Sequence, residues 1–413
     1  MRSSRLLALS AAAGLAAQAC ARPAGPRRAE RLGREPDIRV ALAVDQREVR
    51  IEGQGAVIAT QSGRVVFRLG AGDHVRLTRE GRAVRVSGGS GSGRYESLRF
   101  ASTDRNRFVM VNGKPYRGVR EVVASAGGAT AINRLPLEAY LGGVVVAEMG
   151  DRNGDELAAL EAQAIVSRTY ALFHRGKYAS QGYDLSTSTT DQVYGGVSAE
   201  TELGLRAVRA TRGEVATFDG ELIEALFFST CGYATASPEE VFRFGRERPY
   251  LRSVSDRRPG SGHYCDASPY YRWSVEWGGA ELRDILRRTI PRTLGIDGAM
   301  VDVIEQIRVH RTGPSGRVTE LRIRVGKGEI PVFGPDIRAV LRRPDGSALG
   351  STAIQLQAQR EGGRVTRLVV QGAGFGHGVG FCQWGAAGRA RAGQSAHTIV
   401  TTYFPGTRIA RWY

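Results

Sequence analysis

The hundred residues after position 36 alternate between hydrophobic and polar side chains, and turn-rich breaks separate the alternating runs. Three such runs cover residues 38–44, 64–69 and 82–86. Alternation with a period of two is typical of half-buried antiparallel strands. We therefore predict a β-rich N-terminal region over residues 37–132.

The pattern changes to helical spacing at Leu135. Pro136 suits the first position of a helix, and the hydrophobic residues that follow predict a helix ending near Gly150. Asp155 is a suitable N-cap for a second helix. We expect that helix to continue to about His174.

The rest of the chain mixes both patterns. Asp219 and Gly220 separate two β-rich runs, residues 213–218 and 221–228, and this predicts a hairpin. The further predicted elements are helices over residues 280–290 and 335–343 and strands over residues 319–325 and 364–370. We predict an α+β fold, in which the β-rich region packs with a mixed α/β core over residues 133–413.

The N-terminus has the pattern of a secretory signal peptide over residues 1–19. Basic residues precede an apolar run that is too short to span a bilayer as a helix. Cys20 follows directly and is a candidate for lipidation, with ordinary cleavage nearby as the alternative. Residues 20–36 are predicted to be a flexible tether. The chain is thus expected to be exported to the periplasm or cell envelope, where a lipid anchor would be its contact with the membrane.

The charge indicates an acidic partner. Lys and Arg number 58 and Asp and Glu 41, which gives a formal net charge of +17. Predicted export and the lack of a basic block argue against nucleic acid. An anionic wall polymer or a lipid surface fits better, and the alternative is that scattered arginines merely cover a solvated surface.

Six blocks of sequence occur in one order along the second part of the chain. They include an Ala-Glu-Met, a Phe-Ser-Thr-Cys-Gly and a Gly-His-Gly-Val-Gly sequence. The blocks cover residues 135–149, 160–171, 191–194, 228–232, 249–251 and 376–385. Together they resemble the SpoIID/LytB family, which contains peptidoglycan lytic transglycosylases and amidase enhancers.

The resemblance implies that Glu148, in the Ala-Glu-Met block, is the catalytic acid/base. One carboxyl can donate and accept a proton in turn if apolar surroundings raise its pKa towards neutrality. The alternative is a surface glutamate at the C-terminus of a helix, where the helix dipole does not favour its charge. The family blocks favour the catalytic interpretation.

Further polar and aromatic residues of the blocks are candidates for contact with a glycan. They are Gln163, Arg168, Asp191, Gln192, Ser229, Thr230, His377 and Trp384. The alternative for Gln163 is that it orients the site or satisfies backbone groups. The alternative for Arg168 is an ion pair with an acidic neighbour such as Glu161. For Asp191 it is a plain loop residue, for His377 a hydrogen bond to the backbone, and for Trp384 burial in the core.

The cysteines suggest a disulfide rather than a metal site. There is no Cys-x-x-Cys pair, and in an oxidising compartment a bridge between Cys231 and Cys265 is a reasonable hypothesis, with Cys382 left over. Some family members bind zinc through a Cys and a His before Gln192. Residues 188–191 contain neither, so we expect no metal there and no cofactor.

The expected function is therefore that of a lytic transglycosylase, which cuts between N-acetylmuramic acid and N-acetylglucosamine and leaves 1,6-anhydro ends. The expected partner is the peptidoglycan glycan strand. The main alternative is a non-catalytic, peptidoglycan-binding enhancer of a cell-wall amidase. A third possibility is plain hydrolysis, which requires a second carboxylate. Asp191 is the candidate for it.

Overall fold

The computed structural model describes residues 33–89, 91–242, 245–326 and 328–413. The predicted signal peptide, most of the tether and Cys20 lie outside the described residues. The end of the tether is described, and it is attached to the core. Glu35 accepts a hydrogen bond from the N–H of Glu138 at 3.0 Å and pairs with Arg212. The prediction of a flexible tether is therefore wrong for these last residues.

Short strands make up the N-terminal region of the described chain. They are β1 (Asp37–Gln46), β2 (Val49–Gly53), β3 (Val57–Gln61), β4 (Arg64–Leu69), β5 (His74–Glu80), β6 (Ala83–Ser87), β7 (Gly93–Tyr95), β8 (Ser97–Ser102), β9 (Val109–Val111), β10 (Lys114–Tyr116), β11 (Val119–Ala124) and β12 (Ala129–Pro136). This confirms the predicted β-rich region, and its last strand extends four residues beyond the predicted end.

Helices dominate the segment that follows. Its elements are α1 (Leu137–Gly142), α2 (Val145–Met149), α3 (Leu157–Phe173), β13 (Leu185–Ser186), α4 (Glu202–Ala210), β14 (Glu214–Phe218), β15 (Glu221–Leu222), β16 (Phe227–Phe228) and α5 (Pro238–Val241). The single helix predicted before Gly150 is two short helices, because the chain turns at Gly143. The predicted N-cap at Asp155 is also wrong, since Asn153 and Glu156 form a capping box that starts two residues earlier, at a short 3-10 helix before α3.

The remaining elements run to the C-terminus. They are β17 (Arg272–Gly278), α6 (Gly279–Leu294), β18 (Ile304–Thr312), β19 (Val318–Val325), β20 (Gly328–Phe333), α7 (Asp336–Val340), β21 (Ile354–Glu361), β22 (Arg364–Ala373), β23 (Phe381–Cys382), α8 (Gln383–Arg391), α9 (Ala396–Tyr403) and β24 (Arg408–Arg411). These confirm the predicted α+β class and the helices and strands expected at four of these places.

Two sheets form the N-terminal region, and the core completes one of them. Their strand orders are β13-β1-β12-β11-β8-β3-β4 and β10-β9-β2-β5-β6-β7. Alternate residues such as Val49 and Ile51 are fully buried while Arg50 between them is exposed. Strand β13 pairs in parallel with β1, so a segment from the core forms the edge of the first sheet.

Helix α3 is the centre of the core. Its residues from Ala159 to Leu172 are buried on nearly every side, and α4, α8, α9 and β14 pack around it. A helix that is apolar all round is typical of such a central position. The predicted hairpin is confirmed, because β14 pairs with β15 across Asp219 and Gly220, both of which have a positive φ.

A second hydrophobic core lies within residues 275–370. Strands β17, β22 and β21 form one sheet and β18, β19 and β20 another. Their buried side chains, among them Trp277 and Leu321, cluster with those of α6 and α7 and apart from the main core. No helix in the described ranges has both the length and the hydrophobicity needed to cross a bilayer.

Candidate active site

Glu148 lies on the short helix α2, whose other residues include the buried Val145, Val146 and Met149. Its own side chain is half-buried. Gly150 follows with a φ of 70° and ends the helix. The predicted catalytic carboxyl therefore stands at the end of an apolar helix, with part of its surface open to solvent.

Two neighbours hold the Glu148 carboxyl. The backbone N–H of Val193 donates to Oε1 at 2.5 Å, and the side chain of Gln383 also forms a hydrogen bond with it. Burial raises the pKa of Glu148 from 4.5 to about 7, although both hydrogen bonds oppose the shift. At neutral pH the group exists in both protonation states, so it can give up a proton and take one back.

Gln383 belongs to a chain of buried amides. Its Nε2 donates to Oε1 of Gln163 at 3.5 Å, and Nε2 of Gln163 donates to the hydroxyl of Ser167 at 2.9 Å. Gln163 is completely buried. This corrects the prediction that Gln163 contacts a glycan: it supports Gln383, which in turn contacts Glu148.

The loop before Val193 is held by Asp191. Its side chain has no exposed surface, pairs with Lys177 at 2.5 Å and accepts both the N–H and the hydroxyl of Ser186. Burial alone would raise its pKa, but these partners outweigh burial and the pKa is lowered. Asp191 is therefore an ionised residue that fixes the loop, and the prediction that it contacts a glycan is corrected.

Gln192 is also buried. Its Oε1 accepts the hydroxyl of Tyr140 at 3.2 Å, and its Nε2 has no hydrogen-bond partner within the described residues. With no exposed surface, Gln192 does not reach a glycan in this structure, contrary to the prediction.

Arg168 lies inside the core rather than at the site. Its guanidinium makes a two-fold contact with Glu138 at 2.9 and 2.7 Å and donates to the carbonyl of Glu214 at 2.9 Å. Because the side chain is 0% exposed, the prediction of glycan contact is wrong. The alternative of an ion pair is confirmed, although the partner is Glu138 and not Glu161.

The two predicted hydroxyls differ in accessibility. Thr230 is fully buried and hydrogen-bonds to the hydroxyl of Ser268 at 2.7 Å, so it does not reach a glycan, contrary to the prediction. Ser229 is half-buried, and its carbonyl accepts the N–H of Trp384 at 3.0 Å. Ser229 remains a candidate for substrate contact.

Both ring nitrogens of His377 form hydrogen bonds with the backbone. Its Nε2 lies 2.9 Å from the carbonyl of Phe227, and its Nδ1 accepts the N–H of Val379 at 3.0 Å. These contacts require the neutral ring with the proton on Nε2, and burial lowers its pKa to about 4. The structure supports the backbone-bound alternative and corrects the prediction that His377 binds substrate.

Trp384 is half-buried at the start of α8, and the guanidinium of Arg152 stands over its ring at 4.3 Å. Arg152 also donates to the carbonyl of Met149, which follows Glu148 directly. The sequence analysis did not single out Arg152. A cation over the ring competes with a sugar for that face, so sugar stacking on Trp384 remains a prediction.

Cys231 and Cys265 are free thiols in this structure, with their Sγ atoms 3.4 Å apart. This corrects the predicted disulfide. Cys382, which the sequence analysis left over, lies beside them: its Sγ accepts the N–H of Cys231 at 3.2 Å.

Gln383 and Val193 are the site residues that sequence reasoning missed. Both lie inside blocks that the sequence analysis used for the family resemblance, but neither has an ionisable side chain. Val193 acts through its backbone N–H, which has no sequence signature. For Gln383 the signal was its place in the last block, three residues after the Gly-rich sequence that ends at Gly380.

The fold and the site define an α+β protein in which the half-buried carboxyl of Glu148 has a raised pKa. Residues 125–218, which contain α2, α3 and the Asp191 loop, match the family model described as Stage II sporulation protein. Residues 260–380 match a domain of unknown function and contain the second core.

Three relatives are similar to a larger part of the chain. An uncharacterized protein of Brachyspira hyodysenteriae is 29% identical over 72% of this chain and 73% of its own length. Stage II sporulation protein D of Bacillus subtilis is 29% identical over 68% of this chain and 76% of its own. The amidase enhancer of the same species is 26% identical over 62% of this chain and 38% of its own. Over residues 125–218 the chain is thus similar to the SpoIID/LytB family.

Proposed function

We propose that the protein cleaves the glycan strands of peptidoglycan as a lytic transglycosylase outside the cytoplasm, with Glu148 as its single acid/base. The similarity to the sporulation proteins and to the amidase enhancer supports a cell-wall role. The observation that carries the proposal is the half-buried carboxyl of Glu148, whose pKa burial raises to about 7.

In the proposed reaction the protonated Glu148 donates its proton to the bridging oxygen as the glycosidic bond breaks. The resulting carboxylate then accepts the proton of the muramoyl 6-hydroxyl, whose oxygen bonds to the anomeric carbon. The glutamate returns to its starting state, and the product carries a 1,6-anhydro end. A pKa near the working pH serves both steps.

The structure gives less support to plain hydrolysis. That reaction requires a second carboxylate to activate water. Asp191, the candidate, has both oxygens engaged by Lys177 and Ser186, and its pKa is lowered. An internal hydroxyl as nucleophile makes a second carboxylate unnecessary.

The test is digestion of purified glycan strands, with and without stem peptides, followed by mass spectrometry of the new ends. We expect anhydro ends with the wild type and a loss of rate of about 10²- to 10⁴-fold with Glu148→Gln. Glu161→Gln is the matched control: it removes another half-buried carboxyl whose pKa burial raises. Its neighbours are Arg206 and His397 instead of the site, so the control should keep full activity.

New reducing ends in place of anhydro ends would show that the protein hydrolyses the bond and is not a transglycosylase. Absence of cleavage by the wild type, together with stimulation of a wall amidase, would instead support a glycan-binding enhancer. The relative named amidase enhancer favours this second function.

A further inference from the structure

Four buried side chains meet at a place that the proposed reaction does not use. They are Cys231, Asp256, Cys265 and Cys382, whose sulfur and carboxylate atoms all lie within 4.8 Å of one another. Each is 0% exposed. They come from the loop after β16, from the segment before β17 and from β23, so distant parts of the chain converge here.

The sulfur of Cys382 accepts hydrogen bonds from the backbone, as a thiolate would. It accepts the backbone N–H of Cys231 at 3.2 Å and that of Gly385 at 3.3 Å. Cys382 is also the N-cap of α8, where the helix dipole favours a negative group.

The carboxylate of Asp256 is held in one orientation. Its Oδ1 accepts the hydroxyl of Tyr403 at 2.6 Å and lies 3.3 Å from Nη2 of Arg389. Its Oδ2 faces the cysteines, 3.4 Å from the sulfur of Cys231. Such partners behind a ligand orient it and are typical of metal sites.

A buried group of three thiols and one carboxyl is unfavourable when ionised without a cation. We propose that Cys231, Asp256, Cys265 and Cys382 bind a structural zinc ion, and this inference does not rest on the proposed function. Three thiolates and one carboxylate complete a tetrahedron and leave no position open, as in structural zinc sites.

The spacing favours an ion over a disulfide. Zinc–sulfur bonds of about 2.3 Å place two sulfurs of a tetrahedron about 3.8 Å apart, whereas a disulfide requires about 2 Å. The sulfurs of Cys231 and Cys265 lie 3.4 Å apart. A disulfide between these two cysteines would also not explain why the sulfur of Cys382 lies beside them.

The ion would lie in the main core, next to the site. Cys382 directly precedes Gln383, which contacts Glu148. Asp256 and Cys265 lie in the segment that leads into β17. Bound zinc would therefore fix the position of Gln383, and through it that of Glu148.

The test measures metal in the full chain, purified under reducing conditions and dialysed against zinc. We expect stoichiometric zinc by elemental analysis. Replacement by cobalt should give thiolate-to-cobalt charge-transfer bands in the near ultraviolet. Cys231→Ser and Cys382→Ser should lose both signals, while the matched control Cys20→Ser, the remaining cysteine of the chain, should keep them.

A second variant, which keeps all four ligands, tests the site even if the cysteine variants do not fold. Tyr403→Phe keeps all four ligands but removes the hydroxyl that orients Asp256, and it should weaken zinc binding about 10- to 100-fold. Wild type without metal, with Cys231 and Cys265 joined in unreduced peptides, would overturn the inference. So would full metal content in Cys231→Ser and Cys382→Ser. A failure of glycan cleavage would leave these readouts unaffected.

Discussion

At the scale of single residues, the protonation of Glu148 depends on its surroundings. Its helix is apolar, and among the described residues Val193 and Gln383 donate the hydrogen bonds that favour its charged form. Burial outweighs these bonds, which is why the carboxyl retains a proton near neutral pH.

This balance predicts a pH-dependent stability. The folded chain holds a proton on Glu148 that the unfolded chain releases between pH 4.5 and about 7. The associated stability is complete below pH 4.5 and is lost as the pH rises through 7. The free energy of unfolding of the wild type, relative to Glu148→Gln, should fall by up to about 3 kcal/mol over this window.

Urea unfolding of both proteins at fixed ionic strength measures this difference. Asp256, whose pKa burial also raises to about 7, is present in both proteins and cancels. A difference that stays constant from pH 4.5 to above 7 would mean that Glu148 is solvated like an ordinary surface carboxyl.

At the scale of elements, Arg168 connects three parts of the core. It stands on α3, pairs with Glu138 on α1 and donates to the carbonyl of Glu214 on β14. Glu138 in addition accepts the hydroxyl of Tyr413, so the C-terminus joins the same network.

Removal of this buried charge should be costly. Arg168→Met leaves the carboxylate of Glu138, 10% exposed, without its cation, and we expect a loss of about 3–5 kcal/mol in the free energy of unfolding. The control is Arg134→Met, because its pair with Asp37 is about half exposed on both sides. That change should cost at most about 1 kcal/mol. Equal losses in urea unfolding would show that Arg168 contributes no more than a surface ion pair.

At the scale of the whole molecule, two hydrophobic cores divide the described chain. The main core contains the N-terminal sheets and the helices around α3, and the second contains the sheets built from β17 to β22. Each buries its own set of aliphatic side chains, so the two can differ in local stability.

Hydrogen exchange can separate the two cores. Leu321→Ala removes a fully buried side chain of the second core and should cost about 2–5 kcal/mol. We expect faster amide exchange in β18–β20 and unchanged protection in α3. Leu160→Ala, in α3, is the matched change and should give the opposite pattern. Accelerated exchange throughout both cores in each variant would show one cooperative unit.

The sequence by itself determined the features that depend on local patterns. Alternation identified the N-terminal strands, Asp219 and Gly220 identified a hairpin, and the Ala-Glu-Met block identified Glu148. These features follow from side-chain period, turn conformation and a local motif, all of which are readable from neighbouring residues.

Tertiary structure alone decided which polar residues are accessible and which meet. Arg168, Gln192 and Thr230 share blocks with accessible residues, yet they are fully buried. Cys382 is more than a hundred residues from Cys231 and Cys265, so only folding brings the three thiols together. Burial and long-range contact are properties of the packed chain, because a side chain's exposure depends on elements distant in sequence.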